Sequence, residues 1–126
     1  MRVTFYFIAI AFFTQLLSCD FSRIDNKATD FYHKELLKLY SPDNTKYFTI
    51  NENGTDSSNA HTQVLLNFKN GGAGIYAIQG INKNINAYWK GNSLIVIETF
   101  KEYKADQKWP KVQFLDDIVQ IEYIEK

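Results

Sequence analysis

From Lys46 to the last residues, apolar side chains recur at every second position, and this period commits the chain to strands rather than helices. Phe48 and Ile50 share one face of residues 46–51, and Val64, Leu66 and Phe68 share one face of residues 61–69. Residues 74–79 form a short apolar run, and Ile85, Ala87 and Trp89 alternate with Asn86 and Tyr88. Residues 94–100 begin apolar on both faces, as a central strand does. Val112 to Phe114 is a weaker candidate, and Val119, Ile121 and Tyr123 alternate with Gln120 and Glu122. The punctuation agrees, because Asn53-Gly54, Asn70-Gly71-Gly72 and Gly91-Asn92 all tolerate positive φ. Trp89 to Leu94 reads as a tight hairpin.

Before Lys46 the period differs. Ala28, Tyr32, Leu36 and Leu39 fall on one helical stripe, with Phe31 and Tyr40 flanking it. Asp25 or Asn26 can cap its start, Asp30 lies in the first turn, and Ser41-Pro42 ends it. Glu35 interrupts the stripe and Leu37 lies opposite. The expected fold class is therefore α+β: one helix over residues 27–40, then a small antiparallel sheet or meander of about six strands. The helix, or a second layer of the same sheet, covers the apolar face.

The N-terminus is an address. Arg2 precedes an uncharged run from Val3 to Leu17, the pattern of a secretory signal. Fifteen residues fall short of the ~20 that span the hydrocarbon core as a helix. The run ends in Leu16-Leu17-Ser18-Cys19, which resembles the lipobox of bacterial lipoproteins. That resemblance implies diacylglycerol on Cys19, cleavage after Ser18, and a lipid anchor in a cell membrane with the rest of the chain facing the periplasm or the cell exterior. Two or three acyl chains anchor stably where one does not. The alternative is an ordinary cleaved signal with a cysteine there by chance, although Cys19 is the chain's one cysteine and forms no internal disulfide. Asp20 resembles the inner-membrane retention signal of enteric lipoproteins, a rule other lineages do not share, so the membrane stays open. The expected organisation is a signal peptide at 1–18, a lipidated tether at 19–25, and one domain over 26–126.

A second resemblance rests on Ser41-Pro42-Asp43 with Lys46-Tyr47, then Trp89 with Gly91-Asn92 and Leu94-Ile95-Val96. These words are similar to an SPD…KY opening and a W-x-x-N-x-L hairpin of small uncharacterised bacterial lipoproteins, with Asn44-Thr45 where a glycine often follows. They also resemble one blade of a β-propeller, but a propeller needs several repeats and this chain holds one copy. The resemblance carries no activity with it.

Composition narrows the function. Fourteen basic residues balance fourteen acidic ones, so the basic excess of a nucleic-acid binder is missing and no nucleic acid is expected as partner. His33 and His61 form no zinc-protease motif, and Cys19 is committed to lipid, so neither metal nor cofactor is expected. No serine stands in a nucleophile elbow. Asp116-Asp117 reads as a turn before the last strand rather than an acid–base pair, and the acids of residues 51–56 are too few for a calcium loop. Gly71-Gly72-Ala73-Gly74 leads into a strand, not a helix N-terminus, and is read as a turn rather than a phosphate cradle.

One stretch reads as a candidate binding loop: residues 101–111, where Tyr103, Lys104, Lys108 and Trp109 gather lysines beside aromatics. The competing reading is a solvated hairpin with Trp109 folded back on the core. The expected function is a membrane-anchored, non-catalytic binding or accessory module of the cell envelope, whose partners are membrane lipid through Cys19 and an envelope protein. A glycan- or peptidoglycan-binding protein, with two or more coplanar aromatics and amides in a groove, is the alternative. A small inhibitor or immunity lipoprotein is the second. Metabolic labelling with a clickable fatty acid tests the anchor: the wild-type chain takes the label and Cys19→Ala does not, whereas equal labelling of both overturns the lipidation.

Overall fold

The alternating segments pair into two sheets in the computed structural model, which describes residues 31–126. In chain order the strands are β1 (Tyr32–Tyr40), β2 (Tyr47–Gly54), β3 (Ala60–Phe68), β4 (Gly71–Gln79), β5 (Asn86–Trp89), β6 (Leu94–Thr99), β7 (Ala105–Lys108), β8 (Lys111–Phe114) and β9 (Asp117–Glu125). One sheet has the order β1-β2-β3-β4-β7, the other β5-β6-β9-β8. Every pairing is antiparallel except β6 with β9. The signal peptide, Cys19, the tether and residues 27–30 of the expected helix lie outside the described residues.

The α+β expectation is corrected to an all-β fold. Among the described residues the helical elements reduce to a single 3₁₀ turn at Ser57–Asn59, capped by the Asp56 carboxylate. Residues 32–40, expected as helix, form strand β1 instead. The cause is a bulge between Glu35 and Leu37 in its pairing with β2. It moves the inward positions from Tyr32 and Lys34 to Leu37 and Leu39, so the alternation breaks and imitates a helical stripe. Leu37 and Leu39 pack on the core, burial that an isolated amphipathic turn cannot supply.

The single meander is corrected as well. β6 pairs in parallel with β9, across a connection that first visits the other sheet as β7. The chain changes sheet at Trp109-Pro110, between β7 and β8. Its counterpart is a second bulge, in β4, where Ile75 is left without a partner between Val64↔Tyr76 and Leu65↔Gly74. The Trp109 N–H donates to the freed Ile75 carbonyl at 2.9 Å. The Tyr123 hydroxyl lies 3.0 Å from that carbonyl and 2.7 Å from the Trp109 carbonyl. The Ile121 N–H donates to the Pro110 carbonyl at 2.9 Å. The corner is thus held from both sheets, and its buried backbone groups are satisfied. Burial raises the Tyr123 phenol above its ordinary range and keeps it a donor.

Between the sheets lies one apolar core, built from Phe48, Ile50, Val64, Leu66, Ile75, Tyr76 and Ile78 on one side and Ala87, Ile95, Ile97, Val112, Val119 and Ile121 on the other. The inward column of β2 runs Phe48, Ile50, Glu52 and is continued at its start by Lys46, just before the strand, so that a charge stands at each end of an apolar middle. Glu52, 1% exposed, accepts the Asn82 N–H at 2.7 Å and the Tyr32 hydroxyl at 3.1 Å. Asn82 holds φ 57°, so this carboxylate fixes the left-handed turn that carries the chain from β4 to β5. Glu52→Ala is expected to lower stability by about 2–4 kcal/mol, read by urea unfolding, because it strands a buried N–H and hydroxyl. A loss under about 0.5 kcal/mol, the ordinary surface range, would show that the loop stands without the carboxylate.

A candidate binding cleft among the hairpin turns

In an antiparallel meander alternate turns share an end, so the β1–β2 and β3–β4 turns come together. The β8–β9 turn joins them, and the three enclose a cleft of about 710 Å³, within the ~300–1,000 Å³ of typical ligand sites. Tyr40 and Tyr47 flank it with ring centroids 5.1 Å apart. Phe68 and Phe114 form another wall, stacked at 5.4 Å and 21°. A Cβ on Gly71 would come within 3.0 Å of the Phe114 ring, so the glycine read as a turn former makes room for this wall.

Lys46 lies in the cleft lining, only 4% exposed, with Nζ 3.3 Å from an Asp117 carboxylate oxygen. It also donates to the Thr45 hydroxyl at 3.3 Å. This pair ties β2 to β9, and so one sheet to the other. Asn44, Asn67, Asn70, Lys69, Leu115 and Asp116 complete the lining. Leu115 is 78% exposed and holds φ 56°, a left-handed conformation that a leucine adopts rarely. Lys38 Nζ stands over the Tyr47 ring at 4.4 Å and the Tyr40 ring at 5.4 Å.

The turn at Ser41–Lys46 is stiff. The Asp43 carboxylate accepts from the Ser41 hydroxyl at 2.6 Å, the Thr45 hydroxyl at 2.8 Å and the Thr45 N–H at 3.1 Å. These bonds, the Ser41 one first, hold its carboxyl down at about 2 against an ordinary 3.8. The Asp43 N–H donates to the Asn92 side chain at 3.0 Å, and the Trp89 indole N–H donates to the Leu39 carbonyl at 3.0 Å. The SPD and W-x-x-N words therefore touch, and they staple the β1–β2 hairpin to the β5–β6 hairpin.

The candidate loop does not form one surface. Residues 105–108 are strand β7. Tyr103 packs on the core, edge-on to Phe100 at 5.4 Å, and its hydroxyl accepts the Asn84 N–H at 3.2 Å. Lys104 lines a separate, smaller pocket with Tyr103, Lys83 and Asp106. Lys108 pairs with Glu125 over the Tyr123 ring. Trp109, 44% exposed, stands at the sheet-changing corner and is not among the residues packed on the core. His61 contacts Gln79 and lies 4.0 Å from Asp106. Among the described residues no group of three or more His, Cys, Asp or Glu is placed to hold a metal ion. Sequence reasoning treated Asn70-Gly71 and Asp116-Asp117 as turns and Ser41-Pro42 as the stop of a helix, and did not bring the three to one end; that placement needs β1 to be a strand, which its bulge concealed.

No family model, no curated protein and no solved structure matches the chain.

The Asp43 geometry fixes a pH dependence. Its folded pKa is depressed, so its contribution is complete above the unfolded value of 3.8 and is lost as pH falls through about 2. Melting temperature followed over that window should drop less steeply for Asp43→Asn than for wild type. Parallel acid limbs would show that the turn draws nothing from the charge.

Proposed function

We propose that this chain is a non-catalytic binding module of the bacterial cell envelope, anchored through lipid on Cys19, and that its ligand enters the cleft between the hairpin turns. The observation that carries this reading is the cleft itself. It combines four aromatic rings with a buried lysine, a carboxylate and side-chain amides on turns that the fold holds stiffly. A few placed polar groups in a largely apolar concavity are what small-ligand recognition requires. Stiff walls lower the ordering cost of binding. The lipobox supports the address, and the balanced charge supports a partner other than nucleic acid.

The reading assigns the ligand to the cleft rather than to the loop around Trp109 that the sequence singled out. A diazirine-bearing residue in place of Leu115 reports from the cleft lip, and the same residue in place of Trp109 reports from the corner. Irradiation of living cells should give a covalent adduct from position 115 and none from position 109. Adducts from position 109 alone, or from neither, overturn the assignment of the cleft.

A further inference from the structure

Three features of the cleft bear on the class of its ligand, and the inference drawn from them rests on the binding-module reading above. The first is the charge at its floor. The Lys46 ammonium and the Asp117 carboxylate face each other at 3.3 Å, so any ligand seated there meets both signs at once. A ligand with a single charge is opposed by one of the two, and an apolar one strips water from both without replacing its hydrogen bonds. A hydroxyl both donates and accepts, so it answers a carboxylate and an ammonium together.

The second feature is aromatic. Tyr40 is 51% exposed at the cleft, with its ring tilted 44° to that of Tyr47 and Lys38 over both. Phe68 and Phe114 stack on the other side. Rings of this kind offer flat apolar surface beside polar groups, which suits a molecule with an apolar C–H face and a polar rim. The third feature is the lip, where the Asn44 and Asn70 amides each supply a planar donor and acceptor pair and the Asp116 carboxylate supplies acceptors. The main chain of the Ser41–Lys46 turn is taken up internally, through Ser41 N–H to the Lys46 carbonyl and Asn44 N–H to the Ser41 carbonyl. An extended peptide, which binds chiefly through main-chain hydrogen bonds, finds few there.

We infer that the cleft binds an uncharged oligosaccharide, with a sugar ring against Tyr40 and a hydroxyl bridging Lys46 and Asp117. The lipidated full chain in detergent micelles is titrated calorimetrically with chitotetraose, with cellotetraose and with a neutral disaccharide that contains N-acetylglucosamine. Binding of both amino-sugar probes but not cellotetraose marks acetamido sugars as the source, and the reverse marks a plain glucan. Saturable binding to at least one probe is expected. Tyr40→Ala and Asn70→Ala each weaken it about tenfold, with unchanged melting temperature, and Trp109→Ala leaves it as in wild type. Absence of saturable binding to all three probes, or equal affinity in wild type and both cleft variants, overturns the inference. If the position-115 crosslink still forms when no sugar binds, the ligand class is wrong and the binding module stands. If neither result appears, both readings fall.

Discussion

The inward column of β2 sets the terms for everything around it. A sandwich must close at both ends, at one where the chain crosses from β4 to β5 and at the other where hairpin turns of the two sheets meet, and each leaves polar groups that an apolar side chain cannot satisfy. β2 solves this with a charge at each end of Phe48 and Ile50. Glu52 takes the N–H of Asn82 and thereby fixes the crossing from β4 to β5. Lys46 reaches Asp117 and fixes the position of β9 under the hairpin turns. The two charges differ in what they leave open. Glu52 is enclosed by partners that the fold itself supplies, whereas Lys46 borders a cleft.

The same division of labour appears along the edges. The corner at Trp109-Pro110 depends on a carbonyl that only a bulge at Ile75 could release, and on a phenol from β9 that reaches it. Three strands from two sheets thus meet at one backbone oxygen. On the opposite side the sheets are joined by side chains instead, through the Trp89 indole and the Asn92 amide. These contacts give the SPD and W-x-x-N words a structural meaning, because residues about 50 positions apart in sequence hold two hairpins together. Sequence words of this kind mark joints, and the cleft is the space such joints keep open.

Much of the fold was legible in the sequence. Strands β2 to β6, β8 and β9 fall where alternation and apolar runs place them, except that β4 begins at Gly71, so that Gly71-Gly72-Ala73-Gly74, read as a turn, is the first half of that strand. β1 was hidden by its bulge: one extra residue at Leu36 turned a period of two into something resembling a helix. β7 was hidden for another reason, since Ala105 to Lys108 is a short, mostly exposed edge strand with no apolar alternation to read. The division into two sheets left no local trace, because it depends on which strand β9 chooses. The cleft was legible only in pieces. Two of its turns, at Asn70-Gly71 and Asp116-Asp117, were recognised, but Tyr40 had been placed on a helix, and the pairing of Lys46 with Asp117, 71 residues on, is something periodicity cannot see.

The parallel pairing of β6 with β9 has a consequence for how the molecule comes into being. β9 lies inside its sheet, between β6 and β8, so both neighbours lack their partner until residues 117–125 are available. A chain that emerges N-terminus first can pair β1 through β4 early, because those hairpins are local. The second layer, and with it the shared core, must await the final strand. The polypeptide is therefore held back from its folded form until residues 117–125 have been made. Folding then completes in a late step, when β9 slots between β6 and β8.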